Sequence, residues 1–196
     1  GSIKSEPLEG SLLPETYYYN YYDSKESIIN RMTRAMNIQK EKAWINRDKN
    51  LILNDSNELI ILASIIEEET ALNREKKIIS GVFFNRLKKN MLLQSDPTVI
   101  YGLFKKNNRE SRKLNRADLK INTSWNTYMH KGLPLTPISN PGVESILAAA
   151  NPEKNDFFYF VANGKGGHNF SKTLKQHNKN VKIWKNIINC KKKVKC

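Results

Sequence analysis

The sequence predicts an α+β fold, mostly helical, with one small β-hairpin. Three observations predict it. Several segments repeat apolar residues at helical spacing, and one of them is too apolar for a surface helix. A single run, Phe157-Phe158-Tyr159-Phe160-Val161, has the composition of a strand. The turn Asn163-Gly164-Lys165-Gly166-Gly167 then leads to His168-Asn169-Phe170 as the returning strand of a hairpin. A chain of 196 residues is usually one domain and can bury about 70% of the surface its unfolded form exposes.

In chain order, residues 1–22 form a lead-in and residues 23–196 the main domain, ending in a basic tail. Gly1-Ser2 looks like a cloning remnant. Pro7, Gly10 and Pro14 precede the aromatic run Tyr17-Tyr18-Tyr19-Asn20-Tyr21-Tyr22, read as an irregular segment or short strand packed on the main body. Asp23-Ser24 with Glu26 starts a helix whose apolar face is Ile28, Ile29, Met32, Ala35 and Met36, running to about Trp44. Asp55 or Ser56 caps the next, in which Leu59-Ile60-Ile61-Leu62-Ala63-Ser64-Ile65-Ile66 must be largely buried before Glu67-Glu68-Glu69-Thr70.

Asn73 is expected to cap a third helix, with Ile78, Ile79, Val82, Phe83 and Leu87 on one face and Lys88-Lys89 at a basic end that suits the macrodipole. Asp96-Pro97 reads as N-cap and first residue of a short helix to about Phe104. Residues 105–116 are charged and Asn-rich, a solvated loop. The segment 124–141 holds Gly132, Pro134, Pro137 and Pro141, an ordered loop able to line a cleft. Asn140-Pro141 opens a helix that ends near Asn151-Pro152. After the hairpin, Ser171 is expected to cap a terminal helix with Leu174, Val181, Trp184 and Ile188 toward the body.

Composition excludes disorder, since 39% of the residues are apolar, and no apolar run reaches the roughly 18 residues that crossing a bilayer takes. The formal charge of +14 would attract nucleic acid, anionic lipid or an acidic polymer. Lys, Asn and Ile are frequent everywhere, however, as a biased genome composition also produces. Cys190 and Cys196 lie in a lysine-rich tail with nothing to fix a disulfide geometry, so two unpaired thiols are expected. There is no HExxH, P-loop or GxSxG element, and His130, His168 and His177 lack metal-ligand spacing, so neither metal nor cofactor is expected.

The three glutamates are the strongest chemical signal. At about 100° per residue, Glu69 lies within about 60° of Leu62, Ile65 and Ile66, while Glu67 falls on the opposite side near Ile60, Ala63 and Ser64. A carboxyl held against apolar surface keeps its proton to higher pH and can act as an acid near neutrality, in a range of about 5 to 7. Against this stands a frayed helix end with all three in water. Acidic residues at a helix C-terminus oppose the macrodipole and so call for a reason.

In order, Ala63-Ser64-Ile65-Ile66-Glu67-Glu68-Glu69-Thr70, Val82-Phe83-Phe84-Asn85-Arg86-Leu87, Leu93-Gln94-Ser95-Asp96-Pro97-Thr98-Val99-Ile100-Tyr101-Gly102, Asn126-Thr127-Tyr128, Gly132-Leu133-Pro134 and Asn140-Pro141-Gly142 resemble the MltG/YceG family of endolytic murein transglycosylases. Tyr159-Phe160-Val161-Ala162, Gly167-His168-Asn169-Phe170 and His177-Asn178 look like that family too, and the resemblance covers about residues 8 to 185. The sequence departs from the pattern at Ser11-Leu12-Leu13 after Leu8-Glu9-Gly10, at Leu135 after Gly132-Leu133-Pro134, and at Glu68.

The resemblance implies a lysozyme/transglycosylase-like catalytic domain in which Glu69, in the E-x-E-T element, is the catalytic acid. It implies cleavage of the β-1,4 bond between N-acetylmuramic acid and N-acetylglucosamine within glycan strands, without water. Gln94, Asn126, Tyr128, Asn140 and His168 are the expected substrate-binding residues. Asp96 is the nearest second carboxylate, although Asp before Pro is first an N-cap. Peptidoglycan glycan strands are the expected partner, with the cell-wall synthesis machinery beside them and no nucleic acid. Family members also carry a membrane anchor and a LysM-like domain, so the chain is expected to be a catalytic region from a protein anchored in the bacterial inner membrane and facing the periplasm or cell exterior. The competing reading is a non-catalytic basic module that grips anionic glycan or nucleic acid through its lysines.

Overall fold

A computed structural model describes residues 7–107 and 114–193. Among them the fold is α+β as expected, with six α-helices and one antiparallel hairpin: α1 Lys25–Ile45, α2 Ser56–Glu69, α3 Asn73–Lys88, α4 Asp96–Asn107, α5 Val143–Ala150, β1 Tyr159–Ala162, β2 His168–Ser171 and α6 Leu174–Lys193. A 3-10 turn at Asp118–Lys120 follows α4. No helix among the described residues is long and apolar enough to cross a membrane.

α2 is the hub, as its composition demands. It packs on α5, α1, α3 and α4, and Leu59, Leu62, Ala63, Ile65 and Ile66 have no exposed surface. Burying each such Leu or Ile contributes about 1.5–3 kcal/mol, so this helix anchors the core that also takes Met36, Phe83 and Ile146. Asp55 starts α2 cleanly, its carboxylate accepting from the Asn57 and Glu58 N–H groups. Ser24 does the same for α1 at the Ser27 N–H.

The hairpin pairs Tyr159 with Ser171 and Ala162 with His168, and both strands rest on α6. Side chains of α3 position it from the other side. Asn85 Nδ2 donates to the Asn155 and Phe157 carbonyls, and Arg86 Nε donates to the Phe158 carbonyl at 2.6 Å. The adjacent Asn85-Arg86 pair thus grips the chain just before β1.

Several local expectations are corrected. Asn73 is the first residue of α3 rather than its cap; Leu72 holds the cap position without a side-chain bond, and the Thr70 hydroxyl accepts from the Leu72 N–H instead. Asp96 lies inside α4, which extends to Asn107, and Gly142 holds the cap position of α5. Ser171 ends β2, and the side chain that accepts from the first turn of α6 is Thr173, at the Gln176 N–H. Leu174 is 55% exposed rather than buried.

The tyrosine run is not packed on the body: Tyr18, Tyr19, Tyr21 and Tyr22 are exposed, and the lead-in is anchored by buried Leu13, whose N–H donates to the Met32 carbonyl. Gly1-Ser2, half of the expected 105–116 loop (108–113) and Cys196 lie outside the described residues; residues 105–107 of that loop belong to α4, and Cys190 is exposed on α6.

Candidate active site

The end of α2 sends its glutamates to different environments. Glu67 Oε2 accepts from Lys76 Nζ at 3.1 Å, from the Gly142 N–H at 3.1 Å and from Ser145 Oγ at 2.5 Å, tying α2 to α3 and to the start of α5. Burial pushes the Glu67 carboxyl up, but the Ser145, Lys76 and Gly142 donors outweigh it and the net shift is downward. Glu68 is exposed.

Glu69 turns the other way, into a cleft of about 410 Å³. Desolvation pushes its carboxyl up to about 7, assisted by the negative charge of Asp96 and opposed by the Ser95 hydroxyl and the Arg86 cation. Ser95 Oγ donates to Glu69 Oε1 at 2.5 Å. No other hydrogen bond to this carboxyl occurs among the described residues, so the group has one fixed oxygen and one that can carry a proton toward the cleft. A carboxylic acid poised near 7 can donate a proton at neutral pH and take one back afterwards.

Ser95 is itself held firmly. Its N–H donates to Thr127 Oγ1 at 3.0 Å, its carbonyl accepts from Thr98 Oγ1, and Thr98 and Thr127 share a 2.8 Å hydroxyl contact. Gln94, one residue earlier, has φ of 51°, a left-handed conformation that costs a non-glycine residue of order 1–3 kcal/mol. Its N–H donation to the Thr127 carbonyl, next to the Ser95 bond, holds the chain there. The strained turn from Leu93 to Asp96 presents Gln94 and Asp96 to the cleft and Ser95 to the acid.

Opposite chemistry meets around Glu69. Tyr128 OH donates to Asp96 Oδ1 at 2.6 Å, and burial followed by the Asp96 bond pushes the phenol well above its ordinary value. Asp96 therefore directs its carboxylate at Tyr128 across the cleft wall. The far wall consists of Arg86, Tyr159 and Phe160 with Leu174, His177 and Asn178 from the first turns of α6. Arg86 is buried, and its guanidinium also donates through Nη1 to the Leu92 and Leu93 carbonyls and, at 3.5 Å, to Gln94 Oε1.

Of the residues expected from sequence, the structure brings Glu69, Gln94 and Tyr128 together in this cleft. It does not bring the other three. Asn126 is 1% exposed, its amide donates to the Leu119 and Ile121 carbonyls, and its oxygen accepts from the Tyr128 N–H, so it shapes the loop beneath Tyr128. Asn140 bridges to the lead-in, accepting from the Leu12 N–H and donating to Glu9. His168 Nδ1 pairs with Glu75 Oε2 at 2.7 Å, and its N–H donates to the other Glu75 oxygen, which fastens β2 to α3. The Asn126 and Asn140 amides are thus engaged inside the fold, and His168 is held through Nδ1 in an ion pair that serves the hairpin.

Sequence reasoning missed Arg86, Ser95 and His177 as site residues. All three lie within the motifs that carry the family resemblance, and none has a spacing that marks it out alone. No cluster of three or more His, Cys, Asp or Glu side chains able to hold a metal occurs among the described residues.

The model of the YceG-like family matches residues 2–183. The chain is 43% identical over 174 residues to an endolytic murein transglycosylase of Bacillus subtilis (strain 168), covering 88% of this chain and 47% of that protein. It is 35% identical over 178 residues to an endolytic murein transglycosylase of Streptococcus pneumoniae serotype 2 (strain D39), covering 89% and 32%. A crystal structure of a YceG-like protein from Listeria monocytogenes superposes with a TM-score of 0.76 at 43% identity, covering 91% of this chain and 56% of that one. The chain therefore spans about half or less of the curated relatives it matches. With a similar fold and a family match over nearly its whole length, this chain belongs to the YceG-like family.

Proposed function

We propose that the chain is the catalytic region of an endolytic murein transglycosylase, a lyase that cleaves the β-1,4 bond between N-acetylmuramic acid and N-acetylglucosamine inside glycan strands. The observation that carries this reading is the Glu69 carboxyl, raised to about 7 and held at one oxygen by Ser95 in an open cleft. Glu69 protonates the glycosidic oxygen as the bond to C1 breaks. The resulting carboxylate then takes the proton of the muramic C6 hydroxyl as that oxygen attacks C1, leaving a 1,6-anhydro end. One carboxyl serves as acid and then base, and the nucleophile belongs to the substrate, whereas hydrolysing glycosidases normally use two carboxylates.

The surroundings support both halves. Desolvation keeps the proton on Glu69 for the first half, and the nearby Arg86 cation favours the carboxylate in the second. Gln94 and Tyr128 line the cleft where a sugar would lie, and Asp96 supplies negative charge beside a developing oxocarbenium ion. Asn126 and His168 act one step back, by setting the Tyr128 loop and the hairpin. The substrate is peptidoglycan, the reaction trims or terminates nascent strands beside the cell-wall synthesis machinery, and the whole protein is anchored in the inner membrane with this region facing the periplasm or cell exterior. The names of the relatives support the murein substrate and a cell-wall-related site of action.

The test is mass spectrometry of soluble products from murein sacculi or uncrosslinked glycan strands treated with the chain and with Glu69→Gln. Anhydro-ended fragments, about 18 Da lighter than hydrolysed ones because no water is added, are expected from the parent only. Hydrolysed ends would overturn the intramolecular step and point to Asp96 as a second carboxylate. Anhydro products from Glu69→Gln would overturn the role of Glu69. Salt-sensitive glycan binding with no cleavage by the parent would favour the basic binding module.

A further inference from the structure

One edge of the Arg86 guanidinium has no partner in the fold. Nε and Nη1 are fixed on three carbonyls and on Gln94, whereas Nη2 makes no hydrogen bond among the described residues. It is also not among the side-chain atoms that are sealed from solvent without a partner. Arg86 is 7% exposed and lines the Glu69 cleft, and no carboxylate forms an ion pair with it among the described residues. The unpaired edge is thus a preoriented donor on a rigid, largely desolvated cation.

Its neighbours form a ring-binding wall. The guanidinium carbon lies 5.1 Å from the Tyr159 ring centroid, and the His177 imidazole stacks on the same ring at 5.2 Å and 26°. Burial and the Arg86 charge hold His177 toward its neutral form, and its Nδ1 is buried without a partner. A fixed guanidinium edge beside an aromatic face matches a planar sp² oxygen attached to a small apolar group.

We infer that Arg86, Tyr159 and His177 form an acyl-recognition subsite, in which Arg86 Nη2 donates to the carbonyl or carboxylate oxygen of an acyl substituent on the sugar bound beside Glu69. The inference rests on the cleft taking a glycan, as proposed above. In murein that oxygen comes from one of two sources, the N-acetyl carbonyl or the carboxyl end of the ether-linked lactyl group of the muramic residue. Arg86 then fixes which face and register of the strand meets the acid, while its other donors keep β1 and the turn from Leu92 to Gln94 in place.

Calorimetric binding to the Glu69→Gln protein tests this without depending on turnover. The probes are a peptide-free tetrasaccharide of alternating N-acetylglucosamine and N-acetylmuramic acid, and chitotetraose, which has N-acetyl groups alone. Adding Arg86→Lys is expected to weaken the muramic probe at least about tenfold, as the loss of a charge-assisted bond implies. Weakening of that probe alone assigns the oxygen to the lactyl group; equal weakening of both assigns it to N-acetyl if chitotetraose also protects the Arg86 Nη2 protons of the Glu69→Gln protein, and overturns the subsite if neither probe protects them. Unchanged affinities for both overturn the subsite and leave the cleavage reading standing. Binding of neither probe to the Glu69→Gln protein overturns the subsite and counts against a glycan cleft as well. Should Arg86→Lys fail to fold, the guanidinium resonances of Arg86 give the same decision in the Glu69→Gln protein: protection of the Nη2 protons on adding the muramic probe supports the subsite, and unaltered exchange overturns it.

Discussion

Glu67 and Glu69 leave the same helix two residues apart and meet opposite conditions. Around Glu67 three donors converge on one oxygen, and the carboxyl is held below its ordinary range. Around Glu69 there is one hydroxyl, desolvating surface and a negative neighbour, and the carboxyl rises to about 7. The first arrangement stabilises the fold as an anion. The second costs stability as an anion, and its value lies in a proton held near neutral pH. A helix end that opposes its own macrodipole is tolerated because Glu67 is neutralised by Lys76 and Glu69 keeps its proton below about pH 7.

The sharpest way to break the comparison is to make both side chains amides. Glu69→Gln is expected to lower turnover by about 10²–10⁴-fold, the usual contribution of a general acid–base group, while the fold persists. Stability should move the other way at high pH. Below about 4.5 both folded and unfolded chains hold the Glu69 proton; between 4.5 and about 7 only the folded chain does; above 7 the folded state bears the full cost of the buried anion. That cost is on the order of 3 kcal/mol. Urea midpoints at pH 4.5 and pH 8 should therefore fall less with rising pH for Glu69→Gln than for the parent.

Glu67→Gln should do the reverse. Its lowered carboxyl contributes stability that is present above about 4.5 and lost as pH falls through the folded value. Removing the charge leaves Lys76, itself 5% exposed, without its ion-pair partner. A loss of about 2–4 kcal/mol at pH 7 is expected, somewhat below the roughly 3–5 kcal/mol of a fully buried pair because the Glu67 side chain is 31% exposed. The check is the same urea series. A Glu67→Gln protein as stable as the parent at pH 7 would mean that the three-donor socket is not what holds the end of α2.

The helical wheel separates these two glutamates from sequence alone, because an apolar stripe along α2 fixes which side faces the core. The same periodicity, with the cap residues, places α1, α2 and α3 to within a residue or two, the proline-marked starts place α4 and α5 to within about a turn, and the aromatic run marks the hairpin. What the sequence did not reveal are contacts made by short polar side chains across long separations. Ser95 meets Glu69 from 26 residues away, and Asn126 and His168 look like ligand-binding types but are satisfied inside the fold by Leu119, Ile121 and Glu75. Donor and acceptor chemistry is legible in a residue's name, but the identity of its partner is set by packing. Asp96 shows this best: Asp before Pro reads as a cap, yet its carboxylate bonds Tyr128 instead.

That contact offers the finest test of how the Glu69 proton is tuned. The Ser95 hydroxyl lowers the Glu69 carboxyl and the Asp96 charge raises it. Since protonated Glu69 is the acid, activity should decline as pH rises through about 7, and the two substitutions should move that limb in opposite directions. Ser95→Ala removes a bond that favours the anion, so the limb should shift upward, with a roughly 5–10-fold loss in kcat because an ordinary hydrogen bond worth about 1 kcal/mol no longer orients the acid. Asp96→Asn keeps an oxygen for Tyr128 but loses the charge, so the limb should shift downward by less than about one pH unit. The pH dependence of kcat for the two variants decides it. Shifts in the same direction would show that the limb reports some group other than Glu69, because no single electrostatic origin allows the loss of a donor and the loss of a negative charge to act alike on one carboxyl.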